Sequence, residues 1–301
     1  MEAAAPLRRV EDPQPGPTIA ELRPGQSFRG RYACVRKDRL TARNGSPYLS
    51  LELRDRTGTI AARVFREVDR VGGRFERGDP VEARGRAERF RGQLVAELDE
   101  VRRLDPANAD PAEFLPAAYR DRDELEGFLE HLATEVHDPA LRTVDARVLF
   151  EGSTAPEQRR EPCTRAGHHS YLGGLLEHTV AVGTLVLETC QLHQRLDSDL
   201  LMASALLHDV GKTREFTYGA EIGLSEEGRL LGHLQIGAEI SGAAAGGLAP
   251  ERRTALLACV LSHHGTDALR TRSFASPEAV ALYRLNALDA HVKGALEHGL
   301  G

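Results

Sequence analysis

The hydrophobic pattern of this chain changes its period once, and that change restricts the fold to two unlike domains. Up to residue 105, apolar and polar residues alternate in short runs that are separated by turn signals such as Asn44-Gly45 and Thr57-Gly58, which indicates β-strands. From residue 119 onward, apolar residues recur at helical spacing, as in the run from Leu175 to Val186. Residues 106–118 contain three prolines and are the expected linker. We therefore predict an all-β domain followed by an all-α domain.

The β part has the element order of an OB-fold. The expected strands are residues 27–42, 48–55, 58–65, 79–90 and 93–104, with a short helix over residues 65–71. Five strands with one helix after the third form an OB-fold barrel, whose exposed face commonly binds single-stranded nucleic acid. We assign residues 17–105 to this domain. Residues 1–16 are rich in Ala and Pro without periodicity, so we expect them to be disordered.

The part beyond the linker, residues 119–301, predicts a bundle of seven helices. They are expected over residues 121–137, 139–150, 171–192, 197–208, 225–246, 250–264 and 276–297. Asp197, Ser225 and Ser276 are the residue types that cap helix N-termini, and a proline follows Ser276 in the first turn.

Charge is divided between the two parts. Residues 17–105 carry 20 Lys and Arg against 14 Asp and Glu, whereas residues 106–301 carry 17 against 28. A basic domain attracts polyanions and an acidic, histidine-rich one can hold cations, although random drift of surface charge is an open alternative. No run approaches the length of a membrane span and no signal-peptide pattern begins the chain, so we expect a cytoplasmic protein without a membrane partner. The four cysteines are scattered, which argues against a disulfide framework or a zinc knuckle.

Histidines and acids recur inside or at the ends of the predicted helices. Bundles build metal sites by pointing such residues inward from several helices. Imidazole and carboxylate suit Mn, Fe, Zn or Co. One site would combine His178, His208 and Asp209 with Asn286 or Asp289. The other candidates are His233, His263 and His264, which could form a second site with Asp209 bridging both.

Two metals about 3.5–4 Å apart are a recurrent solution for phosphoester hydrolysis, because they activate water and stabilise the phosphoryl charge. In this scheme Asp209, Lys212 and His233 have catalytic roles, and Lys212 holds a phosphate oxygen. A single histidine on an apolar face is usually a structural residue, but five of them together with an Asp favour a site.

The order His … His-Asp-x-Gly-Lys … His … His-His … Asp resembles the HD-domain metal-dependent phosphohydrolases. The segments HHSYLGGLLEHT (168–179), GRLLGH (228–233), LSHHG (261–265) and SPEA (276–279) are similar to the YhaM-type 3′-5′ exoribonucleases, which carry an OB-type domain before the HD domain. The resemblance covers residue 17 to the C-terminus. It implies one or two divalent ions, Mn²⁺ first and Fe, Co, Zn or Mg as alternatives. It also implies stepwise release of nucleotides from the 3′ end of single-stranded RNA, or of DNA, and substrate contacts at His168, His169 and Ser276.

The chain departs from that family at a metal-binding position. Asn286-Ala-Leu-Asp289-Ala stands where relatives have Asp-x-x-Asp-Ala, and an amide oxygen is a weaker ligand than a carboxylate. Asp289 lies three residues on, on nearly the same helical face, and could substitute. A second departure is RTRSFASPEA at 270–279, where relatives have Phe-Gly-Ser-Pro and a longer insertion.

Nucleic-acid contacts are expected in the first strand and its turn. Single strands are bound by cations that follow the backbone and by aromatic rings that stack on bases. The tyrosines could instead face the barrel interior. The candidates are Arg29, Arg31, Tyr32, Arg36, Lys37, Arg39, Arg43 and Tyr48.

Three functions are compatible with these patterns. The first is a nuclease in which the OB domain captures a strand and the HD domain cleaves it. The second is an HD phosphohydrolase of small or cyclic nucleotides, which leaves the OB domain without a role. The third is a nucleic-acid-binding regulator whose metal site is degenerate because of Asn286. A homo-oligomer is compatible with all three.

Overall fold

The computed structural model describes residues 16–152 and 155–299. The segment predicted to be disordered, residues 1–16, lies outside this description except for Gly16. The chain forms two compact units, one that extends to Phe114 and includes Gly219–Glu221, and one that holds Leu115–Tyr218 and the residues from Ile222 onward. The boundary falls inside the segment 106–118, which is folded into two short 3₁₀ turns at Pro106–Asn108 and Pro111–Glu113. None of the helices in the described ranges is long and apolar enough to cross a membrane.

The first unit is a closed five-stranded barrel, so the predicted fold class is confirmed. Its strands pair in the order β1-β2-β3-β5-β4, with β3 and β5 parallel. The helix between β3 and β4 begins at Val68, three residues later than predicted, because Glu67 before it takes a left-handed conformation (φ 49°). The elements are β1 Ser27–Thr41, β2 Pro47–Asp55, β3 Gly58–Val64, α1 Val68–Gly72, β4 Pro80–Phe90 and β5 Gln93–Arg103.

Strand alternation fills the barrel. Leu49, Leu51 and Leu53 of β2 point inward and are almost fully buried, while the residues between them face outward. The same alternation places Ile60, Ala62 and Val64 of β3 in the interior. The outward residues of β2 and β3 therefore form one continuous surface on the outside of the barrel.

The second unit is helical, and all seven predicted helices are present. The predicted caps are confirmed, since Asp197, Ser225 and Ser276 each accept a hydrogen bond from a backbone N–H in the first turn. Two short helices and a small hairpin were not predicted. The elements are α2 Arg122–Thr134, α3 Pro139–Ala146, α4 Ala155–Arg160, α5 Gly174–Leu192, α6 Ser198–Leu207, α7 Lys212–Glu215, β6 Phe216–Tyr218, β7 Ile222–Leu224, α8 Glu226–Ala244, α9 Pro250–Ser262 and α10 Pro277–His298. The predicted helix at 139–150 changes to a π-helical turn at Arg147–Glu151.

Helix α6 is the centre of this unit. Every residue from Leu200 to Leu207 is buried, so the helix has no polar face and is enclosed by its neighbours. The first half of α5 is buried in the same way, from Gly174 to Val180. A polar residue placed at the C-terminal end of α6 is therefore held inside the unit.

One buried acid on α3 destabilises the fold at neutral pH. Both carboxylate oxygens of Asp145 are buried without a hydrogen-bond partner in the described part of the chain, and burial raises its pKa well above the usual value. The folded state is therefore favoured most at a pH below the pKa that Asp145 has in the unfolded chain, about 4. That stability is lost as the pH rises toward the higher pKa of Asp145 in the folded chain.

We expect Asp145→Asn to raise the free energy of unfolding at pH 7 by about 1–3 kcal/mol, because the buried carboxyl must hold a proton that the unfolded chain releases, at about 1.4 kcal/mol for each unit by which its pKa is raised. Urea denaturation at pH 7 and near pH 4 measures the effect, which should fade at the lower pH. The exposed Asp267→Asn is the control. An equal gain at both values would show that the charge of Asp145 is not the cause.

Candidate metal centre and nucleic-acid interface

Two of the predicted histidines end helices, and that position orients their rings. His208 and His263 follow the last residues of α6 and α9. Carbonyl groups are left free at a helix C-terminus. The Nδ1–H of His208 donates to the Ala205 carbonyl at 2.7 Å, and the Nδ1–H of His263 donates to the Val260 carbonyl at 2.6 Å. Each ring therefore turns its Nε2 toward the interior.

The other two histidines are oriented by carboxylates. The Nδ1–H of His178 donates to Asp289 at 2.6 Å, and the Nδ1–H of His233 donates to Glu215 at 3.1 Å. All four rings thus hold Nδ1 in a hydrogen bond and turn Nε2 toward the centre of the cluster, where the Nε2 atoms of His178 and His208 lie 3.2 Å apart. A metal-binding imidazole is usually fixed in this way.

The four Nε2 atoms surround the carboxylate of Asp209. Its Oδ2 lies 3.3 Å from His208 Nε2 and 3.5 Å from His178 Nε2. Its Oδ1 lies 3.3 Å from His263 Nε2 and 3.8 Å from His233 Nε2. Two sets of donors therefore share one carboxylate, as a bridging ligand requires.

Unpartnered atoms in this cluster fit a divalent cation. Asp209 Oδ1, His233 Nε2 and His263 Nε2 are buried and have no hydrogen bond of acceptable geometry within the described residues. Such atoms cost about 1–3 kcal/mol each unless they meet a ligand. His264 is exposed, with its ring 4.2 Å from that of His263, and it joins the donor set of Asp209, His233 and His263.

Electrostatics keep these groups in their metal-binding forms. Burial alone would raise the pKa of Asp209, but the Lys212 ammonium, 2.7 Å from Oδ2, and His208 hold that pKa well below its usual value. Burial lowers the pKa of His263 to about 3 and also lowers that of His178. An ionised carboxylate and neutral imidazoles are the forms that bind metals.

Asn286 and Asp289 occupy opposite sides of His178. The amide oxygen of Asn286 lies 3.0 Å from His178 Nε2, and its Nδ2 donates to the His263 carbonyl, which fixes the oxygen toward the cluster. Asp289 contacts Nδ1 instead. Of the two candidates for the last ligand, Asn286 faces the donor set and Asp289 orients the ring of His178.

A hydrogen-bonded chain behind Asp289 includes residues that the sequence did not single out. His169 Nε2 lies 3.0 Å from Asp289, and its Nδ1 lies 2.8 Å from the Tyr171 hydroxyl. Tyr171 donates to Glu177 at 2.8 Å, and Lys293 donates to the other oxygen of Glu177 at 2.9 Å. Tyr171 and Glu177 lie in the segment HHSYLGGLLEHT (168–179), so its resemblance to the exoribonucleases could have indicated them.

The three predicted substrate contacts occupy different positions relative to the cluster. His169 is 1% exposed with both ring nitrogens engaged, so it positions Asp289 rather than a substrate. Ser276 caps α10 and lies ten residues, about 15 Å of helix, before Asn286. His168 is half-buried, with its ring centroid 5.4 Å from that of His178.

Two glycines allow the cluster to close. A Cβ on Gly211 would lie 2.1 Å from the His233 carbonyl oxygen, so only glycine lets α8 approach the His-Asp turn. Gly232 interrupts α8 with φ 70° and ψ 160°. The interruption turns both the backbone N–H and the ring Nδ1–H of His233 toward Glu215, a residue that no motif indicated.

On the barrel, most of the predicted cations are already paired. Lys37 is committed to the end of α1, because its ammonium donates to the carbonyls of Gly72 and Phe75. Tyr32 is 1% exposed and donates to the Pro17 carbonyl, so its prediction as a stacking platform is wrong. Arg43 is exposed beside the β1–β2 turn. The ion pairs are Arg29–Glu82, Arg31–Glu113, Arg36–Asp38, Lys37–Glu76 and Arg39–Asp69.

Two aromatic residues outside the predicted set, Phe65 directly after β3 and Phe90 at the end of β4, have exposed rings on the outside of the barrel. Tyr48 of β2 stacks on Phe65, with ring centroids 5.6 Å apart. The Arg63 guanidinium lies 4.1 Å from the ring of Phe90. Phe65 and Phe90 are 46% and 43% exposed, so a large part of each ring is open to solvent. The alternation of inward and outward residues along β2 and β3 could have indicated this surface, because it places Tyr48, Arg63 and Phe65 on the outside of the barrel.

The different roles of Asn286 and Asp289 can be tested by metal titration. We expect Asp289→Asn to weaken Mn²⁺ binding about 10–100-fold, because the residue that orients a metal-binding ring is lost. Asn286→Asp should strengthen it by about tenfold, since a carboxylate replaces an amide oxygen. Isothermal titration calorimetry measures both. If Asn286→Ala leaves the affinity unchanged while Asp289→Asn removes binding, Asp289 is the ligand.

Comparison with known proteins finds a family model for each of the two units. The HD domain family matches residues 175–290, and the OB-fold nucleic acid binding domain family matches residues 29–104. The chain is 29% identical to the 3′-5′ exoribonuclease YhaM of Oceanobacillus iheyensis, over 80% of this chain and 76% of that one. It is also 29% identical to YhaM of Bacillus subtilis, over 83% and 80%, and 27% identical to YhaM of Shouchella clausii, over 91% and 86%. The predicted resemblance is confirmed: the chain is similar to the YhaM 3′-5′ exoribonucleases over most of its length and carries an OB-fold domain followed by an HD domain.

Proposed function

We propose that this protein is a metal-dependent 3′-5′ exonuclease of single-stranded nucleic acid, with RNA as the main substrate and DNA as a second one. The observation that carries the proposal is the Asp209 carboxylate, each of whose oxygens faces the Nε2 atoms of two imidazole rings. The relatives named 3′-5′ exoribonuclease support the direction and the substrate. Because RNA is its substrate, we also propose that the protein acts in the cytoplasm.

The first donor set is His178, His208, Asp209 and Asn286, and the second is Asp209, His233, His263 and His264. A pair of divalent ions, which we propose to be Mn²⁺, supplies water activation and charge stabilisation when it is bound. His178, His208 and His263 are fully buried, whereas His233 is partly exposed and His264 is exposed. The second set therefore opens to solvent, and this is where a phosphodiester can approach.

Asp209 and Lys212 have linked roles in this proposal. The ammonium of Lys212 is buried against Asp209, so its charge compensates the carboxylate and keeps it ionised. We therefore propose that Lys212 positions Asp209, whereas the sequence suggested that Lys212 contacts the phosphate directly. His168 and His264, at the edge of the cluster, are the better candidates for contact with phosphate oxygens.

The division of labour between the domains can be tested with His208→Ala and Asp209→Ala. We expect each to lower cleavage of end-labelled RNA by at least about a hundredfold, because a ligand of the proposed ions is lost. Binding of the same oligonucleotide should change by less than about twofold. Cleavage is followed on gels with Mn²⁺, Mg²⁺ or chelator, and binding by fluorescence anisotropy with chelator present.

His131→Ala, an exposed histidine on α2, is the matched control. Since Asp209→Ala leaves Lys212 buried without its partner, His208→Ala is the decisive variant if the other unfolds. Parallel loss of binding and cleavage in a folded variant would contradict the proposal. Faster hydrolysis of mononucleotides or cyclic dinucleotides than of oligomers would favour the small-nucleotide alternative.

The aromatic surface of the barrel generates a second test. We expect Phe65→Ala and Phe90→Ala each to weaken binding of a single-stranded oligonucleotide by about 1–3 kcal/mol, the usual value of one base stacked on an aromatic ring. Arg63→Gln should reduce the slope of log K against log salt by roughly one, because one phosphate contact is lost.

Phe128→Ala is the matched control, because Phe128 on α2 is also exposed and lies under an arginine, Arg120, at 5.0 Å. Anisotropy titrations at three salt concentrations measure both effects. Equal losses for Phe65→Ala and Phe128→Ala would argue against a binding surface on β2 and β3.

A further inference from the structure

A thiol lies beside the candidate metal centre. Cys163, in the segment between α4 and α5, is fully buried. Its Sγ lies 3.7 Å from Asp209 Oδ2, the oxygen that faces His178 and His208. Its backbone N–H donates to the His169 carbonyl at 2.9 Å, which fixes the position of the side chain. Neither the proposed hydrolysis nor the packing of the helices uses this sulfur.

The distances allow this sulfur to share one ion with Asp209 of the first donor set. Ligand atoms of Cys163, His168 and His178 lie within 4.8 Å of one another, as do those of His178, His208 and Asp209. Zinc–ligand bonds are about 2.0–2.3 Å long, so two ligands of one ion are at most roughly 4.5 Å apart. The separation of 3.7 Å between Sγ and Asp209 Oδ2 satisfies this limit.

The chemistry of sulfur makes this ligand selective. Thiolate favours Zn²⁺ and other thiophilic ions, whereas Mn²⁺ and Mg²⁺ favour oxygen ligands. Burial raises the pKa of the Cys163 thiol, and the Lys212 ammonium, 3.3 Å from Sγ, opposes that rise, so the bond to a metal ion has to supply the rest of the stabilisation of the thiolate. On binding, the thiol releases its proton to solvent and the sulfur–metal bond forms.

We propose that Cys163 is an additional ligand of this centre that is recruited by thiophilic ions such as Zn²⁺ and Co²⁺ and not by Mn²⁺. The inference rests on the proposed function, in which the donor set of His178, His208 and Asp209 holds a divalent ion. The other cysteines, Cys34, Cys190 and Cys259, belong to none of the metal-binding groups within the described residues. This chain therefore holds Zn²⁺ more tightly, relative to Mn²⁺, than its nitrogen and oxygen ligands alone would.

Cobalt substitution tests the proposal without any reference to activity. The full-length protein is stripped with chelator and titrated with Co²⁺ while its absorption spectrum is recorded. We expect visible d–d bands together with a near-ultraviolet thiolate-to-cobalt charge-transfer band. Cys163→Ser should keep the d–d bands and lose the charge-transfer band. Its Zn²⁺ affinity should fall about 10–100-fold, while its Mn²⁺ affinity changes by less than about twofold.

Cys259→Ser, which removes another buried thiol, should keep the charge-transfer band. Wild-type protein that binds Co²⁺ without this band would overturn the Cys163 proposal and leave the metal centre intact. Persistence of the band in Cys163→Ser would overturn it as well. Protein that binds neither Co²⁺ nor Mn²⁺ would overturn the metal centre itself, and with it the proposed function. The wild-type spectrum alone shows whether sulfur binds Co²⁺, so the test does not depend on the folding of a variant.

Discussion

The helical unit is organised around one buried carboxylate. Asp209 is 1% exposed and ionised, and it can be so only because the Lys212 ammonium lies 2.7 Å away and imidazoles surround the rest of it. An isolated buried charge would take up a proton instead. The pair is three residues apart in one turn, so the sequence His-Asp-x-Gly-Lys encodes both the acid and its counter-charge. Removing either member leaves the other buried without compensation, a change that typically costs 3–5 kcal/mol, roughly a third of the stability of an average domain.

The other features of the unit follow from the need to bring donors to this carboxylate. His208 and His263 arrive at the ends of helices, where free carbonyls orient their rings at little cost. The negative end of the helix dipole also favours a cation at that position. His233 arrives only because α8 is interrupted at Gly232 and because Gly211 allows close approach. Apolar burial along α6 provides the rigidity, since a helix enclosed on all sides cannot shift without losing its packing.

The sequence predicted the features that local patterns encode. The spacing of apolar residues predicted the barrel and the helical bundle, and the predicted helix ends indicated His208 and His263. The sequence could not distinguish the roles of Asn286 and Asp289, because both lie on one helical face. Their roles depend on which ring nitrogen of His178 each of them contacts. Tyr32 was misassigned although strand alternation places it inside: it shares the buried face of β1 with Phe28 and Gly30, opposite the arginines on either side of them. Glu215 and Lys293 act through tertiary contacts that no local pattern records.

The charge of the barrel illustrates why a count of residues does not define a binding surface. The excess of basic residues in residues 17–105 suggested an electrostatic site on β1. Five of the six cations expected there instead form ion pairs, most of them exposed, and such pairs contribute little to stability while they neutralise the field. A polyanion would have to displace the acids before it could use those arginines. The aromatic rings of Phe65 and Phe90 have no acid to displace, because a base that stacks on either ring covers apolar surface that is still exposed to water. Recognition of a single strand by this barrel should therefore depend more on stacking, and less on salt, than its net charge implies.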